Sequence, residues 1–141
     1  MVTEARVVYL DSSAIVKLVV AEKETAALQS YLRAAELVTS EIAEVEVPRA
    51  ALLRTGRSES VTRAVAVLAR LSLVTLDDDL RRSAAVVRPP ELRSLDAIHL
   101  ASCLRLAGRL DAIVCYDRRL GAALAAASPR VEAPGSRPGH D

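Results

Sequence analysis

Four acidic residues in this chain stand where its pattern of apolar residues would not place a surface acid. Asp11 directly follows the run Val7-Val8-Tyr9-Leu10, and Asp117 closes the run Ala112-Ile113-Val114-Cys115-Tyr116. Each ends a strand-like segment and opens a helix, at the end of a strand where α/β proteins form their ligand sites. On a wheel of about 100° per residue, residues 40–54 place Ile42, Val45, Ala50 and Leu53 on one broad face, and Glu46 falls in its middle. Glu41 and Glu44 fall on the other side with Pro48 and Ala51. Residues 94–107 likewise put Asp96 on a stripe with Leu100, Cys103, Leu104 and Ala107. A buried carboxylate is costly unless a charge or hydrogen bond meets it. Carboxylates gathered in one cleft raise one another's pKa unless a cation is present. Oxygen donors without a His or Cys partner suit Mg²⁺ or Mn²⁺ better than zinc.

Other residues are weighed against plainer roles. His99 lies three residues after Asp96 and can neighbour it on a helix. It reads first as a packing residue or a hydrogen-bonding support of the site. Asp77-Asp78-Asp79 reads as a solvated helix start, because successive helical side chains point in different directions. Arg49, Arg118 and Arg119 flank the candidate acids and could hold the phosphates of a nucleic acid. Ser12 and Ser13 could support the site by hydrogen bonds, with no base nearby to make either a nucleophile. Lys17 could reach the cleft, and Cys103 reads as core.

The elements that must carry these residues alternate. Strands are expected near 7–10, 37–39, 73–76 and 112–115, with a short fifth at 130–133. Helices are expected from Ser13 on, over 24–34, 40–54, 59–71, 77–87 and 94–107, and from Asp117. Gly56 and Gly108 are the expected stops, and Pro89-Pro90 ends the helix that Asp77 opens. Short, nearly continuous apolar strands between helices mean a sheet covered on both faces, the α/β class with a mostly parallel sheet of four to five strands. At 141 residues the chain is one domain, expected over residues 1–133, with a disordered tail over 134–141.

Composition narrows the function. Apolar residues make up 51% and charged residues 26%, which suits one core and not a disordered chain. No apolar run approaches the roughly 18 residues of a membrane span, and no secretory signal is expected. Cys103 and Cys115 are too few for a disulfide framework or a Cys-based zinc site, so a reducing cytoplasm is the expected location. Nineteen basic against 18 acidic residues leave a net charge of +1, which excludes neither nucleic acid nor an acidic partner. The only aromatics are Tyr9, Tyr31 and Tyr116, which disfavours binding of single strands on a stacking platform.

The same residues carry a resemblance. Asp11-Ser12-Ser13-Ala14-Ile15-Val16-Lys17-Leu18 resembles the opening of a PIN domain, and Glu46-Val47-Pro48-Arg49-Ala50 its second motif. Leu95-Asp96-Ala97-Ile98-His99-Leu100-Ala101 is similar to its third motif and is the most specific match. Val114-Cys115-Tyr116-Asp117-Arg118-Arg119-Leu120 resembles the fourth. The resemblance spans about residues 7–131, with the motifs in order. It implies a VapC-like toxin: a Mg²⁺-dependent (or Mn²⁺-dependent) endoribonuclease, partner of a VapB-like antitoxin, with a three-layer α/β/α fold and a homodimeric assembly. It implies Asp11, Glu46, Asp96 and Asp117 as the acidic site. Asp11 and Asp96 would be the main metal ligands, Asp117 would ligate directly or through water, and Glu46 would orient water or act as base. Cys115 departs from the pattern, since the family often has Thr or Ser there. A weak thiol replaces a hydroxyl that can bond a carboxylate or water.

Two other classes compete. A response-regulator-like signalling module also gathers acids at strand ends and could use Asp77 as acceptor, but it needs a late Lys, and no Lys follows residue 23. A non-catalytic PIN-like binding protein is the other, and the complete set of acids argues against it.

Overall fold

A computed structural model describes residues 5–128 and 130–136. The chain runs β1 (Val7–Leu10), α1 (Ser12–Val19), α2 (Thr25–Tyr31), β2 (Glu36–Ser40), α3 (Ala43–Thr55) and α4 (Ser58–Leu68). It continues through β3 (Ser72–Val74), α5 (Asp78–Val86), α6 (Ser94–Leu106), a 3₁₀ turn at Ala107–Arg109, β4 (Ala112–Val114), α7 (Arg118–Ala127) and β5 (Val131–Glu132). All strands pair in parallel, in the order β3-β2-β1-β4-β5.

The apolar strands are continuous because successive side chains serve different cores. Val8 and Leu10 of β1, with Ala112 and Val114 of β4, join Ile15, Leu28, Val47 and Leu68 on one face. Tyr9 and Ile113 point the other way and join Leu80, Leu100, Leu120 and Leu124. Helices α1–α4 thus cover one face and α5–α7 the other, which is the three-layer α/β/α architecture. Burying each large aliphatic side chain contributes about 1.5–3 kcal/mol, and Val8, Leu10, Ile113 and Leu124 are all at most 1% exposed.

The strand order has a consequence for function. From β1 the chain steps to β2 and β3 on one side, then returns to β4 and β5 on the other. The direction reverses between β1 and β4, and the crevice beyond the carboxyl ends of those two strands is the usual ligand position in such a sheet. Asp11 follows β1, and Cys115 to Asp117 follow β4.

Three local expectations need correction. The helix expected from residue 40 starts later: Ser40 ends β2, its Oγ accepts from the Ile42 N–H at 3.2 Å, and α3 begins at Ala43. Gly56 stops α3 in the left-handed conformation (φ 67°), but Gly108 lies within the 3₁₀ turn, not in such a cap. Residues 134–136 of the expected tail form a turn: the Tyr116 hydroxyl donates to the Pro134 carbonyl at 2.7 Å, and Gly135 packs against Glu24 and Ala27. Residues 137–141 lie outside the described residues. Among the described residues, no helix is long and apolar enough to cross a membrane.

Candidate active site

Asp11 is fixed by the geometry of a helix start. It is the N-cap of α1, and its Oδ1 accepts from the Ala14 N–H at 3.1 Å. Ser13 Oγ donates to the same carboxylate, 2.7 and 2.8 Å from its two oxygens, and accepts from the Tyr116 N–H at 3.0 Å. Ser13 therefore ties the end of β1 to the segment after β4. Cys115 Sγ completes the cradle, donating to Asp11 Oδ2 at 3.2 Å. The thiol so occupies a position from which a hydroxyl could make the same bond. Burial pushes the Cys115 thiol pKa far up, and the Asp11 charge adds to this, so it stays a protonated donor. Burial also raises the pKa of Asp11, outweighing the nearby His99 and the donors from Ser13, Ala14 and Cys115.

Asp117 caps α7, its Oδ1 accepting from the Leu120 N–H at 2.9 Å, and it is exposed. Asp96 sits in the first turn of α6, half-buried. Burial raises its pKa, and Asp117, Glu46 and Asp11 each add to the rise while His99 opposes it. These acids therefore share one electrostatic neighbourhood, although they come from distant segments.

Glu46 reaches this neighbourhood by a different helix face from the one its apolar neighbours suggest. Ala43, Val47 and Ala51 are the buried side of α3, whereas Val45 and Leu53 are 64% and 87% exposed. Glu46 stands at the edge of the buried side. Its Oε1 accepts from Ser12 Oγ at 2.8 Å and from His99 Nε2 at 2.9 Å. Burial raises the Glu46 pKa, but the His99 hydrogen bond and charge and the Ser12 hydroxyl together outweigh it, leaving the pKa below the usual value. The stripe expected on α6 also shifts. Leu104 and Ala107 are exposed, and Ala97, His99, Leu100, Ala101, Ser102 and Cys103 are the buried residues.

His99 supports the site, 1% exposed, with Nδ1 bonded to the Tyr9 hydroxyl at 2.7 Å. The sequence reading missed Tyr9. The available signal was a hydroxyl in the middle of an otherwise apolar strand, since a buried Tyr O–H finds a partner. Lys17 does not touch the acids. Its Nζ pairs with Glu22 and Glu24 at 2.9 and 3.0 Å and lies 4.6 Å from the centre of the Tyr116 ring. Arg49, Arg118 and Arg119 are exposed. Asp77 is committed elsewhere: it caps α5 through the Leu80 N–H, and Arg105 of α6 grips both its oxygens at 2.8 and 3.0 Å. That Arg105 contact holds the Asp77 pKa down at about 2. Asp78 and Asp79 pair with Arg81 and Arg82 on the exposed side of α5.

The donors match a hard divalent cation in kind: carboxylate oxygens, with Asp96 destabilised by the charges around it. As placed, no three carboxylate, imidazole or thiol groups among the described residues share one ion position. Asp11 is occupied by Ser13, Ala14 and Cys115, and Asp117 by Leu120. Asp117 is exposed and Asp96 half-buried, and each carboxylate keeps lone pairs that these hydrogen bonds do not use.

A parallel sheet in this order, with acids from four segments around its β1–β4 crevice, defines a PIN-type α/β domain. Residues 8–123 match the PIN domain family, and the chain belongs to it. Within that family it is similar to Ribonuclease VapC35 of Mycobacterium tuberculosis, 44% identical over 134 residues, covering 91% of this chain and 97% of the relative. It is also 45% identical to Ribonuclease VapC46 of that species over 115 residues, 80% of this chain and 86% of the relative. The fold resembles the crystal structure of Mycobacterium tuberculosis VapC20, a Sarcin-Ricin loop cleaving toxin (TM-score 0.67, 20% identity, 82% of this chain and 94% of that one). It also resembles a chain of a toxin-antitoxin complex from Klebsiella pneumoniae (TM-score 0.64, 19% identity, 90% and 97% covered).

Proposed function

We propose that this protein is a Mg²⁺-dependent (or Mn²⁺-dependent) endoribonuclease, the toxin of a VapBC-like toxin–antitoxin pair acting in the cytoplasm. What supports this reading is that Asp11 and Asp117 follow β1 and β4, the strands flanking the crevice, and that burial raises the Asp96 pKa while Asp117, Glu46 and Asp11 add to the rise. Ribonuclease names on relatives at 44–45% identity support it.

The ligands would be Asp11, Asp96 and Asp117; the bound ion would offset phosphate charge and acidify water. The chain's own residues do the rest. Ser13 and Cys115 hold Asp11 in one orientation, and Ser12 and His99 hold Glu46 by Oε1. That leaves Glu46 Oε2 to take the proton of the water whose oxygen attacks phosphorus. The P–O bond on the far side breaks, and its oxygen leaves with the electron pair. Arg49, Arg118 and Arg119 supply positive charge for the flanking phosphates.

Val45, Leu52, Leu53 and Val65 stand exposed on α3 and α4, an apolar surface that supports a homodimer built on that helix pair. The antitoxin reading draws on the toxin–antitoxin complex among the structural neighbours.

The test is cleavage of total cellular RNA by purified protein, with Mg²⁺ or with EDTA and with product ends mapped. Intact RNA under both conditions, from folded protein, would sink the proposal. A second expectation concerns binding alone. A ligand that binds only the native state at 100 times its Kd stabilises it by about 2.7 kcal/mol. Saturating Mg²⁺ is therefore expected to raise the melting temperature of the wild type by several degrees and to leave Asp96→Asn unmoved. Equal shifts in both would count against an ion at Asp96. A third concerns Cys115. Because a hydroxyl is a better donor than a thiol, Cys115→Ser is expected to cleave at or above the wild-type rate, and loss of cleavage would show that the thiol is required.

A further inference from the structure

We propose that His99 is the positioning residue of the nuclease site, holding Glu46 through Nε2 while buried Tyr9 holds the ring through Nδ1. The proposal rests on the nuclease reading above and assigns how its proposed base is set. It starts from hydrogen-bond bookkeeping. Glu46 Oε1 is a carboxylate oxygen and can only accept, so the His99 nitrogen 2.9 Å from it must carry the proton. Nδ1 then faces the Tyr9 hydroxyl at 2.7 Å. That hydroxyl serves either form of the ring. It donates to a bare Nδ1 and accepts from a protonated one. The Nε2–H toward Glu46 is the same in both cases.

The ring has little freedom to do anything else. His99 is 1% exposed and Tyr9 is wholly buried, with the two rings edge-to-face at a centroid distance of 5.9 Å. They sit in different layers of the fold, Tyr9 on the central strand β1 and His99 on α6, while Glu46 comes from α3 on the other side of the sheet's end. The chain Tyr9–His99–Glu46 therefore links sheet and both helical layers at the carboxyl end of β1. Ser12 Oγ adds a second donor to the same Glu46 oxygen at 2.8 Å. With Oε1 doubly held, the side chain cannot rotate freely, and Oε2 is presented in a fixed direction. Orientation of this kind is where a displacement of about 1 Å can cost on the order of 10²-fold in rate. His99 touches neither the reacting phosphate nor the water in this scheme, so it is not itself catalytic.

Two measurements test this, one of them independent of activity. The chain holds two histidines, and the other, His140, lies outside the described residues. Protein carrying ¹⁵N-labelled histidine thus gives a simple spectrum. His99 is expected to show a proton on Nε2 whose resonance moves in Glu46→Gln, and an Nδ1 resonance that moves in Tyr9→Phe. A bare Nε2 in the wild type, or resonances indifferent to both changes, would overturn the assignment. In the RNA cleavage assay with saturating cation, His99→Leu is expected to lower kcat by about 10–100-fold with KM nearly unchanged. His99→Gln, whose amide places a donor near the Nε2 position, is expected to recover most of the loss. Glu46→Gln combined with His99→Leu should be no slower than Glu46→Gln alone, because His99 acts through Glu46. Full activity in folded His99→Leu, or additive losses in the double variant, would refute the role. A wild type that cuts no RNA but shows the Glu46-bonded Nε2–H would overturn the nuclease reading and uphold the positioning contact.

Discussion

Asp96→Asn is expected to abolish growth arrest when the protein is expressed in a bacterial host and to lower RNA cleavage by at least about 10²-fold, the scale of losing one transition-state-stabilising group. The substitution keeps size and hydrogen-bonding capacity and removes one charge. It removes that charge at the position most loaded by its neighbours, since burial, Asp117, Glu46 and Asp11 all disfavour ionised Asp96. A cation gains most from a carboxylate in that situation, because binding relieves the repulsion as well as forming the new attraction. The same reasoning gives a sign for stability. An acid whose folded pKa is raised opposes folding while ionised, above that pKa; the cost shrinks as pH falls through the raised pKa and is gone below the unfolded value. Asp96→Asn removes this cost, so without Mg²⁺ the variant is expected to melt no lower than wild type at neutral pH. Loss of arrest together with an unchanged or higher melting temperature separates a functional defect from a folding one. Arrest by the variant at equal soluble levels would show that the acid is dispensable and would remove the main support for the metal-site reading.

Much of this site was legible in sequence because strand ends and helix caps are local devices. Asp11 and Asp117 each follow an apolar run and open a helix, and both prove to be N-caps whose carboxylates accept a backbone N–H three residues on. Glu46 lies at the edge of the buried side of α3, bonded to Ser12 and His99, but the helical wheel chose the wrong apolar face. Val45 and Leu53 are the larger apolar residues of α3, and they point to solvent in the single chain, while Ala43, Val47 and Ala51 face the core. Small residues lie inward there because α3 packs closely on α1 and α4. Apolar size on a helix therefore marked an exposed face rather than the interior of the chain. His99 was legible as a hydrogen-bonding support, but its partner Tyr9 was not, because a contact between residues 90 positions apart depends on how α6 crosses the sheet. The response-regulator alternative already lacked its late Lys in the sequence, and the structure adds a long-range reason against it. Asp77 is gripped by Arg105 from the next helix, a partner 28 residues away.

Lys17→Met is expected to lower stability more than any exposed charge change, by about 3 kcal/mol, the lower end of the range for breaking a buried pair. Lys17 and Glu24 have side chains 11% and 9% exposed, with Nζ 3.0 Å from the carboxylate. Removing the ammonium leaves Glu24 buried and charged. Lys23, 3.8 Å away but 88% exposed, compensates only in part. Glu22 loses less, because it is more exposed and keeps Arg54 as a partner. The expected fall in melting temperature is about 10 °C at neutral pH, on the scale of a few degrees per kcal/mol for a domain this size. The pH dependence has a definite sign. Burial raises the Glu24 pKa, but Lys17 and the other donors outweigh it and lower the folded value. Its stabilisation is therefore complete above the unfolded Glu pKa and is lost as pH falls through the lower folded one. In Lys17→Met, protonation instead relieves the stranded carboxylate, so the gap between variant and wild type should close below about pH 4. Adding Glu24→Gln to Lys17→Met should restore much of the loss at pH 7, since a neutral pair has no buried charge to strand. Melting by circular dichroism across pH checks all three expectations, and equal melting temperatures for Lys17→Met and wild type at pH 7 would sink the account. The effect also reaches the active site. Lys17 lies against the Tyr116 ring, and the Tyr116 N–H donates to the serine that holds Asp11. Loosening this corner is expected to reduce cleavage even below the melting transition, and Glu24→Gln should restore that activity in step with the stability.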